Sequence, residues 1–307
     1  MGLLDGRVVI VTGGGRGLGR AHCLELARQG ATVVVNDLGV SLQGTAEDGP
    51  EAEPGGGARS PAASVVAEIE ALGGTAVADG TSVTDWDGMQ ALVATTVARF
   101  GDLHAVVNNA GFIRDRMLVS MSEDDFDAVV AVHLKGTAAL TKHACAYWRE
   151  QAKAGAAVSG RVVMTTSGAG LFGNAGQANY GAAKGAIATL AGIVALEMQR
   201  YGVTANAISP IAATRMLATI GRTAAGDGGW DPLDPANASP VVAWLCSAES
   251  GWLSGAVLRI DGNTVRRVRG WTVEGGYPSA SGEMLTTEEL GLGIRKLYGA
   301  APAGLGG

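Results

Sequence analysis

Seven short apolar runs recur along this chain, and a helix-length segment separates each from the next. The runs are Arg7–Thr12, Ala31–Asn36, Thr75–Ala78, His104–Val107, Arg161–Thr165, Thr204–Ile208 and Ala256–Ile260. Between them lie helix candidates at Leu18–Gln29, Ala62–Leu72, Asp85–Phe100, Glu123–Glu150, Asn179–Tyr201 and Pro240–Ser247. The runs are apolar throughout instead of alternating, so both faces of the sheet they form must be covered. Strands that alternate with helices predict a parallel sheet, and right-handed crossovers wind it in both directions. The expected fold is therefore α/β: a doubly wound, seven-stranded parallel sheet of Rossmann type, in one domain with a C-terminal extension. Composition agrees, because 47% hydrophobic residues and 48 glycines suit helices packed closely on such a sheet.

Two stretches break the rhythm. Residues 39–60 are rich in Gly, Pro, Ala and Glu and read as a flexible insertion after the second strand. Beyond Asp261 comes a basic run, Arg266, Arg267 and Arg269, then a Gly-rich stretch and a short helix at Thr287–Leu297. The arginines read as a solvated or interface-paired cluster, with phosphate binding as the alternative. The expected organisation is a main domain over 1–262 and an extension over 263–307 that packs on the domain or on a neighbouring subunit.

A net charge of −6 argues against a nucleic-acid surface. Cys23, Cys145 and Cys246 are odd in number and far apart, which predicts free thiols and a reducing compartment. No secretory signal and no membrane-spanning run are read, so a cytoplasmic location is expected. No metal is expected.

The segment Thr12-Gly13-Gly14-Gly15-Arg16-Gly17-Leu18-Gly19 leaves a strand and opens a helix. Glycines there let the backbone approach a pyrophosphate, and the helix N-terminus offers it free N–H groups. The next strand ends in Asp37, about twenty residues on, where a carboxylate takes the adenosine ribose hydroxyls. It would repel a ribose phosphate, so NAD is favoured over NADP; Arg16 pulls weakly the other way. The expected cofactor contacts at this end are Gly13, Gly15, Arg16, Gly17, Leu18, Gly19, Asp37 and Leu38.

Tyr180 and Lys184 stand four apart on a helix, on one face. Bringing a phenol from pKa about 10 to near 7 needs about 4 kcal/mol of preference for the phenolate. One ammonium at about 4 Å supplies roughly that at an effective dielectric of 20. Such a pair can act as a general base, and Ser167 would steady the substrate oxygen.

Taken in order, Gly13, Gly17 and Gly19, then Asn108-Asn109-Ala110-Gly111, Ser167 and Tyr180-Gly-Ala-Ala-Lys184 resemble the short-chain dehydrogenase/reductase superfamily over Leu4–Gly262. The resemblance implies cofactor contacts at Asn109, Ala110, Gly111, Tyr180 and Lys184, at Pro210 and Thr214 after the sixth strand, and at Thr81 and Ser82 after the third. At the third-strand end the alignment is open between Asp79 and Thr81. Where the family has a catalytic Asn, this chain has His133. A lone histidine reads first as a structural residue, and a catalytic role through its backbone or its imidazole is the alternative.

Val34–Gly39, Ile113–Arg116, Val132–Gly136, Gly173–Tyr180 and Ala243–Cys246 further resemble the hydroxyacyl-CoA dehydrogenase unit of peroxisomal multifunctional enzymes and its free-standing bacterial relatives. That implies oxidation of a 3-hydroxyacyl-CoA by NAD⁺, on a fatty acyl or a steroid side chain. The alternatives are hydroxysteroid oxidation, NADP-dependent ketoacyl reduction, and a non-catalytic NAD-binding regulator. Residues 211–235, with Met216, Leu217, Ile220 and Trp230, would form a mobile apolar lid. No fused hydratase or sterol-carrier domain is read, so product transfer by diffusion or through a partner is expected. Small residues after Tyr180 (Gly181, Ala182, Ala183, Gly185, Ala186 and Ala188) predict close helix contact between subunits in a homodimer or homotetramer.

Overall fold

The computed structural model describes residues 2–39, 60–212, 230–273, 275–282 and 284–298. The strands are β1 (Val8–Thr12), β2 (Thr32–Asn36), β3 (Thr75–Asp79), β4 (Ala105–Asn108), β5 (Gly160–Thr165), β6 (Val203–Ile211), β7 (Val257–Asp261) and β8 (Thr264–Val268). They form one sheet in the order β3-β2-β1-β4-β5-β6-β7-β8. All pairs are parallel except β7 with β8. Strand order therefore reverses direction at β1, and the crevice beyond the β1 and β4 C-termini is where such sheets bind ligands.

The main helices are α1 (Gly17–Arg28), α2 (Pro61–Ala71), α3 (Trp86–Phe100), α4 (Glu123–Val130), α5 (Gly136–Lys153), α6 (Gly168–Phe172), α7 (Ala178–Met198), α8 (Ser239–Cys246) and α9 (Thr287–Tyr298). Alternate residues of the central strands feed two cores, as the two-residue strand period requires. Val9, Val11, Val33 and Ile208 meet Leu24, Leu26, Ile69 and Leu245 from α1, α2 and α8. Ile10, Val34, Val106 and Met164 meet Met89, Leu140, Trp148 and Ile187 from α3, α5 and α7. Each such side chain fully removed from water contributes about 1.5–3 kcal/mol.

Four features differ from the sequence expectations. The sheet has eight strands, because Gly262-Asn263 turns the chain back and pairs Asp261 with Thr264 and Arg259 with Arg266. Gly262 takes φ +54°, the left-handed conformation such a two-residue turn needs. Arg266 and Arg267 thus lie in an edge strand. The first compact unit runs to Val268, the last residue of β8, and the second starts at Arg269.

The expected Glu123–Glu150 helix is interrupted by a π turn at Ala131–Lys135 between α4 and α5. The short α6 is a further element that the apolar pattern does not predict. Finally, Ala178–Tyr201 is long and apolar enough to cross a bilayer by length and composition, against the expectation that no run in the chain is. It packs along β5 and β6 with Lys184 and Ile187 buried, as a core helix does.

The second unit carries α9, whose N-terminus is closed reciprocally: Thr286 N donates to Glu289 Oε2 at 2.9 Å and Glu289 N to Thr286 Oγ1 at 3.2 Å.

Helices α1 and α8, which pack on one face of the sheet, are tied by a buried polar pair, His22 Nδ1 lying 2.9 Å from Ser239 Oγ. Burial pushes the His22 pKa down to about 4. The unfolded chain titrates near 6.5 and so binds more protons between these values. This contribution to stability is complete above pH 6.5 and is lost as pH falls toward 4. Between pH 7 and 5 it amounts to about 2 kcal/mol. Denaturant titrations at the two pH values should show this loss, and His22→Gln should remove its share of the slope; an unaltered slope contradicts the assignment.

Candidate active site

The loop from β1 to α1 is closed against the end of β4. Asn109 Nδ2 donates to the carbonyls of Thr12 and Gly13, both at 3.2 Å. Thr12 Oγ1 accepts from the backbone N–H groups of Asn109 and Ala110, both at 3.1 Å. The approach is so close that a Cβ on Gly13 would lie 2.7 Å from Ala110 Cα, and one on Gly19 would lie 1.9 Å from Gly13 O. Asn109 therefore supports the loop through its side chain.

Helix α1 begins at Arg16 with no side-chain cap and no acidic residue in its first turn. Its N–H groups and the positive end of its dipole are left for an anion, so a pyrophosphate fits this cradle. Asp37 flanks it: its carboxylate accepts from Gly15 N at 2.9 Å and from Gly39 N at 2.8 Å. Leu38 beside it is exposed. At the end of β3, Asp79 is taken up by Asn36 Nδ2, Thr81 N and Thr81 Oγ1 at 2.6, 2.9 and 3.2 Å. Asp79 thus holds its own loop, and Thr81 O in turn accepts from Asn36 Nδ2 at 2.8 Å. Pro210 lies within β6, opposite Ile260. Thr214, Met216, Leu217 and Ile220 lie outside the described residues, as do most of 39–60 and of 211–235. Of the expected lid, Trp230 is exposed and lies against the Gly262 turn.

The chemical groups gather at the end of β5. Ser167 is the N-cap of α6, its Oγ accepting from Ala169 N at 3.3 Å. Its hydroxyl also lies close enough to the Tyr180 phenol to favour the phenolate. Helix α6 lies on α7 backbone to backbone: a Cβ on Gly170 would fall 2.4 Å from Gly185 N, and one on Gly181 would fall 3.1 Å from Ala169 O. Gly181 and Gly185 thus serve contact within the chain, where the sequence suggests contact between subunits.

Lys184 is buried; its Nζ donates to Thr165 O at 2.7 Å and lies 5.6 Å from the Tyr180 ring centre. Burial pushes its pKa down to about 7. For Tyr180, burial raises the pKa, the Ser167 hydroxyl lowers it and Asp115 raises it. The Tyr180 phenol alone is therefore harder to ionise than its spacing from Lys184 on the helix suggests. The ammonium is farther than 4 Å from the ring centre, and its own charge is weakened by the burial that makes the cleft dry. A nicotinamide cation bound beside the pair would supply further positive charge, and the residues present fit such a cofactor.

His133 sits in the π turn and is buried. Its Nε2 lies 2.7 Å from O and 3.2 Å from N of Phe112, and its ring stands edge-on to Tyr180 with centres 5.2 Å apart. Burial first, and then the Lys184 charge, push its pKa down to about 3.

Two supporting residues are not apparent from the sequence. Asn179, fully buried, donates to Arg114 O at 3.0 Å and Asp125 O at 2.9 Å while its Oδ1 accepts from Tyr180 N at 2.7 Å. It fixes the first turn of α7; an Asn at a helix start is the available signal. Arg259 of β7 spreads its guanidinium 5.4 Å over the Phe172 ring, and a Cβ on Gly168 would lie 3.1 Å from its Nη1. It holds α6, and hence Ser167, from below; nothing near it in sequence reveals this.

Comparison with known proteins agrees with this geometry. A family model for short chain dehydrogenases matches residues 7–54 and 55–225. The chain is 42% identical over 304 residues to hydroxyacyl-CoA dehydrogenase ChsB1 of Mycobacterium tuberculosis, covering 96% of this chain and 89% of that one. It is 38% identical over 265 residues to peroxisomal multifunctional enzyme type 2 of Mus musculus, covering 86% of this chain and 33% of that longer protein. A crystal structure of a short chain dehydrogenase from Mycobacterium avium superposes with a TM-score of 0.85 at 49% identity, over 99% of this chain and 98% of that one. A glycine loop on an uncapped helix, a Ser–Tyr–Lys cluster at the end of β5 and these likenesses place the chain in the short-chain dehydrogenase/reductase family, as an oxidoreductase that acts on a hydroxyl group with a nicotinamide cofactor.

Proposed function

We propose that the chain oxidises a 3-hydroxyacyl-CoA, of fatty acyl or steroid side-chain origin, to the 3-ketoacyl-CoA with NAD⁺. The observation that carries the chemistry is the gathering of Ser167, Tyr180 and Lys184 beyond β5, with Lys184 Nζ 5.6 Å from the Tyr180 ring centre one helical turn on and the Ser167 hydroxyl beside the phenol. NAD⁺ supplies the hydride acceptor and a positive charge. Ser167 holds the substrate hydroxyl, Tyr180 takes its proton, and Lys184 favours the phenolate form of Tyr180. The acyl-CoA assignment is supported by the hydroxyacyl-CoA dehydrogenase relative, of whose length 89% is covered.

NAD over NADP is supported by Asp37, whose carboxylate is pinned at the cradle by Gly15 and Gly39. A ribose phosphate would meet that charge. The second reading, NADP-dependent ketoacyl reduction, draws on Arg16 at the α1 N-cap. Two more distant readings are oxidation of a free steroid hydroxyl and a non-catalytic NAD-binding role.

A homo-oligomer with two-fold axes is part of this proposal. After Gly181 and Gly185 are used within the chain, Ala182, Ala186, Thr189, Ile193 and Leu196 form an outward stripe spaced by four and three residues, with Leu196 80% exposed. An exposed apolar stripe on a helix of this length suits a second copy of the same helix. The cysteines Cys23, Cys145 and Cys246 are free thiols, which suits a reducing cytoplasm.

A panel of 3-hydroxyacyl-CoA thioesters and free hydroxysteroids, followed by NADH absorbance, tests the reaction. NADH should form from thioesters, with kcat/KM for NAD⁺ above that for NADP⁺. Tyr180→Phe should lower kcat by roughly 10²–10⁴-fold. A panel-wide blank removes the substrate assignment, and a cellular role that survives Tyr180→Phe favours the regulator.

Replacing Ile193 with Asp together with Leu196 with Glu should shift sedimentation from oligomer to monomer. A sedimentation coefficient unaffected by both changes would place the interface elsewhere.

A further inference from the structure

The proposed chemistry leaves His133 without a task, yet the chain is shaped around it. A Cβ on Gly111 would fall 2.0 Å from His133 Cε1, so the residue at 111 has to be glycine for the ring to fit. The π turn at Ala131–Lys135 changes the helical register at His133, its middle residue, and such turns are frequent at functional sites. The ring then closes the space between two elements of the site. On one side Nε2 binds the Phe112 peptide. On the other, the ring stands at 87° to Tyr180, 5.2 Å between centres. Nδ1 is buried without a hydrogen-bond partner among the described residues, an arrangement that costs stability and that an apolar residue would avoid.

The charged and titratable groups that bear on this cluster are Lys184, Ser167 and Asp115. Lys184 acts on the imidazole, and Ser167 and Asp115 act on the Tyr180 phenol. A buried ring beside an ammonium stays neutral at pH 7, so it is not a proton carrier there.

We propose that His133 is a positioning residue: a neutral wedge that fixes the Tyr180 ring against the Gly111–Phe112 backbone and keeps water from the Tyr180–Lys184 pair. Without the ring, a polar void opens that is large enough for water, which needs about 30 Å³. Water there would ease the desolvation of both groups. Tyr180 would ionise at lower pH and Lys184 would lose its proton at higher pH, while the phenol would lose its fixed aim.

The inference rests on Tyr180 being the proton acceptor of the reaction proposed above, and its test has a readout that does not need turnover. Spectrophotometric titration of His133→Ala, with the His133→Ala/Tyr180→Phe protein subtracted, should place the Tyr180 midpoint at least one pH unit below that of the wild type. His133→Leu conserves volume and excludes water, and it should leave that midpoint within 0.3 pH units of the wild type (one unit is a tenfold change in ionisation). In turnover, His133→Ala should lose at least tenfold in kcat with KM changed less than threefold, and His133→Leu should lose less. Retention of NADH binding checks that each variant is folded, and if His133→Ala does not fold, His133→Ser takes its place as the smaller, water-admitting variant.

Equal midpoints in wild type and the water-admitting variant overturn the proposal. So does a His133→Leu protein as slow as that variant, which would make an imidazole nitrogen the working group. A wild type inactive on the whole substrate panel but with the titration shift present would instead overturn the proposed reaction and keep the wedge.

Discussion

The site depends on two helices touching through their backbones. Helix α6 can bring Ser167 to Tyr180 only because Gly170 and Gly185 have no side chains where the two axes meet; a Cβ on Gly170 would stand 2.4 Å from a backbone nitrogen. Contacts at that range are not relieved by a rotamer change, because the opposing atoms are main chain. From this approach the rest follows in order. Ser167 caps α6, its hydroxyl reaches the phenol, and the phenol lies one turn from Lys184. Arg259 holds the outer side of α6 and Asn179 the first turn of α7, so the pair is fixed from both ends.

Much of this architecture is legible in the sequence. The seven parallel strands and their covering helices follow from apolar runs without alternation, and each lies within a residue or a few of its expected position. The glycine loop and Asp37 follow β1 and β2, and Ser167, Tyr180 and Lys184 gather beyond β5. The features that the sequence hides share a physical cause: their local signal is weak and tertiary contact sustains them. Strand β8 is a short edge strand whose outward arginines mask its pairing, although Gly262-Asn263 between two β-branched runs is a hairpin signal. Helix α6 has a composition, Gly-Ala-Gly-Leu-Phe, with poor helix propensity, and it is sustained by packing on α7. The π turn leaves no local mark, since one extra residue in a helical turn does not change which residues are apolar.

The small residues of α7 show that a composition signal for close approach does not by itself name the partner. Gly181, Ala183 and Gly185 permit close approach, as the sequence suggests, but Gly181 and Gly185 face α6 and Ala183 is buried in the chain. A helix has more than one face, and small residues spaced by four say only that some backbone comes near. The tertiary fold decides which.

Burial sets the electrostatics of the cleft in opposite senses for its two ionisable partners. It raises the Tyr180 pKa and lowers that of Lys184, so each neutral form is favoured by the environment that excludes water. Dryness has a compensating effect: a charge introduced into the cleft acts over distance with little screening. Lys184 Nζ is fixed by donating to Thr165 O, which holds it one helical turn from the phenol. A cleft arranged in this way would respond strongly to one added positive charge, and the uncapped helix with Asp37 at its side is where a cofactor carrying such a charge would be held. Binding and acid–base chemistry are therefore joined through one low-dielectric space, whose boundary on the side of the π turn is the His133 ring.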